Sequence, residues 1–373
     1  MVYGGRSAYY GLLVKAPSGY DNFLLNTVPA GTEPDGENYT ASSGGEALNT
    51  SMNGYLVSSV YGGVIEGDWV TLSSDGSGSA DKTTYSSKGI KSYNGIYISG
   101  GTVTVYSMDD AIHANGGDEL ENGSSGAGVI EISGGRLTLN CADDGIHSDG
   151  KLTISGGTVN VAKSHEGLEA NVITISGGDV TVNGEDDGLN ACSGSSTPLI
   201  NITGGTLDVT TPSGDTDAID SNGSFTMSGG LAIIKGGAGM GSMAGSVDVD
   251  GSISVTGGTI IAFGGICEVP DSSSVNYFVS NGTSFGSGDY ILTSSGGDAI
   301  TSFSLNASYT SCWIASEAFE LNGSYSLESG GSSVLEWTQS AKASGDQAQG
   351  GFGGTGGPGG MGGPGGMGPG GRR

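Results

Sequence analysis

Residues 143–190 read DDGIHSDGKLTISGGTVNVAKSHEGLEANVITISGGDVTVNGEDDGLN. Two phrases alternate there. One is a small residue followed by two glycines, flanked on both sides by alternating apolar and polar residues. The other is an acidic corner closed by Gly-Ile or Gly-Leu. The diglycine returns at Gly100-Gly101, Gly134-Gly135, Gly156-Gly157, Gly177-Gly178, Gly204-Gly205, Gly229-Gly230 and Gly257-Gly258, a period of about 21 residues where no insertion intervenes. A helical repeat needs two amphipathic helices, and a unit this short with glycines at its centre cannot supply them. Two short strands joined by a bend fit instead.

The expected fold is therefore all-β, a parallel solenoid whose strands lie about 4.8 Å above those of the preceding coil. Ile132, Ile154, Ile175 and Ile202 are expected to form one interior row, and Leu137, Val159, Val180 and Leu207 another. Residues 85–262 carry the regular array. Residues 1–84, rich in Tyr, Gly, Ser and Asn with short β-like runs, read as irregular first coils or a cap. Beyond the array, residues 263–340 read as a short antiparallel β module with NG and SG turns, suited to covering the open end of the last coil. The Gly, Pro and Met-rich tail, 341–373, is expected to be disordered. Insertions after Asn115 and Cys192 leave at the same point of the repeat, where loops can wall a groove, and a third follows Lys235.

Gly is the commonest residue, with 75 in 373, yet outside the tail the glycines sit at repeat turns among Val, Ile, Thr and Tyr, so most of the chain should fold. The formal charge of −27 comes from 39 acidic residues against 12 Lys and Arg. Such a surface has no basic face to displace phosphate counterions, which argues against a nucleic-acid partner and for cations. The four cysteines, Cys141, Cys192, Cys267 and Cys312, lack the CxxC spacing of zinc or dithiol motifs; Cys267 and Cys312 are candidates to pair. No stretch reaches the roughly 20 apolar residues of a membrane span. The start of the chain lacks the form of a signal peptide and reads like the interior of a longer protein, so secretion must be argued from elsewhere.

Aligning the coils on the pair that ends each corner gives three columns. Just before the pair stand Lys88, Asp110, Asp144, Glu166, Asp187 and Asp217; one place earlier stand Ser87, Asp109, Asp143, His165, Asp186 and Thr216. Just after it stand Lys91, His113, His147, Glu169, Asn190 and Asp220. All three histidines of the chain fall in these columns. Carboxylates stacked about 5 Å apart repel by roughly 3 kcal/mol at an effective dielectric near 20, so something should offset the charge. Ca²⁺, which takes six to eight oxygen ligands with tolerant geometry, suits Asp109, Asp110, Asp143, Asp144, Glu166, Asp186, Asp187 and Asp217. Zn²⁺ at His113 and His147 is the weaker alternative in oxygen-rich surroundings. The plainer reading is that Asp before Gly is a turn residue and that the columns only solubilise a solenoid edge. The coil KSHEGLEA breaks the pattern with Lys163, His165 and Glu169; Lys163 or His165 beside a bound cation could serve as a base, or the coil could simply offer a different ligand set.

The ordered pair SHEGLEANVITISGG then DDGLNACSG, preceded by DDAIH and DDGIH, resembles a family of bacterial secreted carbohydrate-binding proteins that includes clostridial cellulose- and pectin-binding members; the likeness spans roughly residues 85–337. The resemblance implies a right-handed parallel β-helix similar to pectate-type lyases, bound calcium, an extracellular or cell-surface setting, and binding of acidic or cellulosic polysaccharide. By position, Asp143, Asp144, Glu166, Asp186 and Asp187 match its acidic corners and inherit the metal-binding expectation. The leading expectation is a monomeric, calcium-stabilised polysaccharide-binding protein. Tyr93, Tyr97 and Tyr106 would stack on sugar rings beside His113, His147 and Glu169. A calcium-dependent polysaccharide lyase and a structural surface solenoid are the competing readings.

Overall fold

The computed structural model describes residues 88–346, with short breaks at 93–94, 108, 120–124, 193, 195, 215, 238–244 and 265–267, and five short strands before residue 88. Every regular element among the described residues is a strand. No helix among them is long and apolar enough to cross a membrane, which says nothing of β-barrels. Tyr93, Cys267 and the tail from 347 onward lie outside the described residues, and so does most of the segment 1–84.

Three short stretches make up each repeat. A corner strand, such as Ile112–Ala114, follows the acidic pair. A second stretch leads into the diglycine and a third leaves it, as in Val129–Cys141, which runs through both. Each stretch pairs in parallel with the equivalent stretch of the next repeat. Val129–Cys141 pairs with Gly95–Ser107 on one side and with part of Ile146–Ser164 on the other. The result is a large, mostly parallel sheet compatible with a solenoid, and one repeat is called a rung below.

Register follows the hydrophobic pattern. Ile132 opposes Ile154, Ile154 opposes Ile175, and Ile175 opposes Ile202. Leu137, Val159, Val180 and Leu207 form the parallel row beyond the bend. All eight are buried, as both interior rows were expected to be. Each such side chain contributes roughly 1.5–3 kcal/mol by leaving water, and the period-2 alternation keeps its neighbours on the outer face.

The bend needs glycine for two reasons. Gly157 and Gly178 have φ of +88° and +86°, the left-handed region that L side chains disfavour. A Cβ on Gly178 would also lie 2.8 Å from the carbonyl oxygen of Gly157, so stacked bends leave no room for one.

At the far end, Thr259–Gly264 turns from parallel to antiparallel pairing with Ser311–Ser316, which covers the last rung's edge. A four-stranded antiparallel sheet of Ala299–Leu305, Gly288–Ser294, Ser324–Ser329 and Ser332–Thr338 follows. Its Tyr290, Phe303 and Trp337, with Phe285 of the strand Asn276–Phe285, share one core cluster with Ile233, Ile261 and Phe263 of the final rungs. The strand Ala343–Gly345 pairs in parallel with Tyr277–Val279. At the near end, Phe23–Asn26 and Gly63–Ile65 extend the parallel sheet ahead of the first full rung.

Candidate functional site: an acidic edge

Inward burial of Ile112, Ile146, Leu168, Leu189 and Ile219 turns the next residue of each corner strand outward. Parallel pairing then stacks Lys91, His113, His147, Glu169, Asn190, Asp220 and Asp248 in one column. The acids before the pair are fixed by the backbone itself. The N–H groups of Ala111, Gly145, Gly167 and Gly188 each donate at 2.9 Å to the carbonyls of Asp144, Glu166, Asp187 and Asp217, one rung on.

Side chains extend the ladder. Asp110 Oδ1 accepts the Asp144 N–H at 3.2 Å, Asp187 Oδ1 accepts the Asp217 N–H at 3.0 Å, and Asp217 Oδ1 accepts the Gly245 N–H at 2.7 Å. A corner carboxylate therefore has a structural duty before any ligand is considered.

The first rungs of the edge neutralise their own charge. Lys88 reaches Asp109 at 2.9 Å and pairs with Asp110, all three nearly buried. Burial opposes ionisation of Asp110, but Lys88 and His113 beside it hold its carboxyl well below the usual range. Against the burial that would lower it, Lys88 is raised by Asp110 and Asp109. His113 pairs with Asp110 through Nδ1, and His147 Nδ1 lies 2.8 Å from Asp144 Oδ2 and 2.9 Å from Glu169 Oε2. The two imidazoles stack with centroids 4.2 Å apart and planes 6° apart. Asp149 Oδ1 faces both, 3.5 Å from His113 Nε2 and 3.2 Å from His147 Nε2. Burial works against the charge of His147, but hydrogen bonds to Asp144, Asp149 and Glu169 raise its pKa well above the ordinary value. Burial and the charge of Asp110 push Asp144 well up, while His147 outweighs burial to bring Glu169 down to about 2.

The later rungs are different. Burial and the neighbouring Glu169 raise Glu166 to about 8, although Asn190 Nδ2 donates to it at 3.0 Å. Burial, with acid neighbours, raises Asp187 to about 6 and both Asp217 and Asp220 to about 7. Asp248 is shifted upward by burial and Asp250. These carboxyls crowd one another with Asn190 as a neutral neighbour in the column.

Several side chains named from sequence meet here: Asp109, Asp110 and Asp143 can converge on one point, as can Asp144, His147 and Glu169, and His165, Glu166 and Asp186. His113 belongs to the same edge but is only 6% exposed, so it serves Asp110 more readily than a glycan. Tyr97, 40% exposed, lies on the stretch before the diglycine and Tyr106 on the stretch after it, so neither shares the corner column. Lys163 lies 3.4 Å from Glu185, and His165 Nε2 lies 3.8 Å from Asp186. Asp149 escaped the columns because it follows the corner strand, and Asp248 because the insertion after Lys235 hides the rung that holds it. The VDV of Val247–Val249, matching IDS of Ile219–Ser221, was the available signal.

Two comparisons find nothing: no curated protein and no solved structure matches the chain. A family model described as carbohydrate-binding domain-containing protein matches residues 32–128 and 118–167, less than half of the chain, covering the rungs of Asp110 and Asp144 and ending at the Glu166 corner. That match supports a carbohydrate-binding protein with glycan partners.

Proposed function

We propose that this chain is an extracellular, calcium-dependent polysaccharide-binding protein built on a right-handed parallel β-helix. The edge from Glu166 to Asp217 carries the cations, and acidic pectin-like or cellulosic glycan is the partner. The observation that carries the reading is the parallel stacking of Glu169, Asn190, Asp220 and Asp248 beside the Glu166, Asp187 and Asp217 corners, where burial first and neighbouring acids second raise Glu166, Asp187, Asp217 and Asp220.

The donor set fits calcium on this part of the edge. Apart from His165, its side-chain ligands are oxygens, and Asn190 Oδ1 is buried without a hydrogen-bond partner among the described residues. Glu166 and Asp186, which lie close enough together to share an ion, would hold calcium, with Asp187 and Asp217 along the same edge and Asn190, Asp220 and Asp248 in the neighbouring column as further oxygen donors. Calcium supplies positive charge that a uronate carboxylate can share. Asp109, Asp110 and Asp143 are a poorer calcium cage, because Lys88 already occupies the first two. The extracellular setting and the helix hand rest on the family resemblance. Retention of the full chain on polygalacturonate and on cellulose, with calcium and with EDTA, tests the proposal. Retention that EDTA abolishes is expected; no retention in either condition removes it.

A further inference from the structure

We propose that His113, His147 and Asp149 form a site for a divalent transition metal of the zinc class, distinct from the calcium-type oxygen edge. Three observations converge on it. Each imidazole has Nδ1 engaged by a carboxylate, Asp110 for His113 and Asp144 with Glu169 for His147. This carboxylate–imidazole arrangement orients metal-ligating histidines and leaves Nε2 as the ligand atom. Both Nε2 atoms then face one oxygen, Asp149 Oδ1, at 3.5 and 3.2 Å.

The second observation is a polar atom without a partner. His113 Nε2 is buried in a residue only 6% exposed, and it makes no hydrogen bond among the described residues; its approach to Asp149 is within ion-pair reach only. Buried polar atoms are nearly always satisfied, so one aimed at a histidine and a carboxylate marks a place for a missing ligand. Third, Asp149 is held for the purpose: its Oδ2 accepts the Gly116 N–H at 2.9 Å, while its side chain stays 34% exposed.

Two imidazoles and a carboxylate are borderline ligands that favour zinc, cobalt or nickel over calcium. The stacked rings must fan apart for their lone pairs to converge, and the metal takes the place of the Nε2 contacts to Asp149. Water completes the coordination on the exposed side of Asp149. The protons displaced from the imidazoles leave to solvent, so binding weakens in acid.

Cobalt titration of the chelator-treated full chain, in excess calcium, tests this site independently of the glycan reading. One equivalent of Co²⁺ should develop visible d–d absorption that Zn²⁺ removes. Asp149→Asn keeps an oxygen for the Gly116 N–H but removes the charge that faces His147, so it should fold with a modestly lowered metal-free melting temperature. It should nonetheless lose the cobalt spectrum and weaken zinc by at least about tenfold, as should His113→Gln. Asp217→Asn should retain the spectrum. Absence of cobalt absorption, or a spectrum unchanged in both Asp149→Asn and His113→Gln, would overturn the assignment.

Discussion

The side chain of Asp187 accepts the backbone N–H of Asp217 at 3.0 Å, joining two rungs through a carboxylate that also belongs to the acidic edge. Structure and cation binding therefore compete for one group, and two substitutions separate them. Asp187→Asn keeps the acceptor and removes a charge, so the metal-free protein should be at least as stable as the parent at pH 8. Asp187→Ala leaves the Asp217 N–H without its partner and should be less stable than Asp187→Asn by about 1–3 kcal/mol. Urea unfolding of both variants in EDTA provides the comparison; equal midpoints would contradict the ladder.

Lys88 acts as a tethered cation on the first acidic pair. Lys88→Met should cost about 3–5 kcal/mol in EDTA, because it leaves Asp109 and Asp110 buried without their counter-charge. Calcium should recover part of that loss, since the vacated pair and Asp143 lie close enough to share an ion. Thermal unfolding with and without calcium reads both effects. A variant as stable as the parent in EDTA would show that Lys88 is dispensable.

Stability of the metal-free protein should fall between about pH 4 and pH 8. A carboxyl with a higher pKa folded than unfolded binds protons more tightly in the folded chain. Its contribution is full below the unfolded value near 4 and is lost as pH rises through the folded value. Glu166 near 8, Asp187 near 6, and Asp217 and Asp220 near 7 all act in this window. Glu169, lowered to about 2, acts oppositely, and its contribution is lost only as pH falls from about 4.5 toward 2. Melting temperatures in EDTA should therefore drop from pH 5 to pH 8, and calcium should flatten the slope. A rising curve over that range would contradict the crowding.

Gly178→Ala tests the stacked bend. The left-handed backbone costs an alanine about 1–2 kcal/mol, and the new Cβ meets the Gly157 carbonyl at 2.8 Å. A loss of at least about 2 kcal/mol is expected in urea unfolding, whereas a loss under about 1 kcal/mol would mean that the bend relaxes freely.

Much of this was legible in the chain because one signal repeats. The SGG bends and the alternation around them placed Ile132, Ile154, Ile175 and Ile202 in a row, and the corner pairs Ala111-Ile112, Gly145-Ile146 and Gly167-Leu168 put His113, His147 and Glu169 in register. Pairings that leave the repeat were not legible. Lys88 falls in the acid column by spacing, but only folding brings its ammonium across Asp109 and Asp110. Asp149 stands outside every column, and nothing in its Ser-Asp-Gly setting distinguishes it from a turn residue. The crowding of Asp220 with Asp187 and Asp248 depends on burial, which residue types alone do not give.

The central claim is that cations on the edge from Glu166 to Asp217 join this chain to acidic glycan. Calorimetric titration of the full chain with polygalacturonate oligomers is its most direct test, run in calcium, in EDTA, and with a Glu166→Gln/Asp217→Asn variant in calcium. The account predicts binding for the parent in calcium and at least about tenfold weaker binding in both other cases, roughly 1.4 kcal/mol or more. Equal affinity in calcium and EDTA, or a variant that binds like the parent, would contradict it.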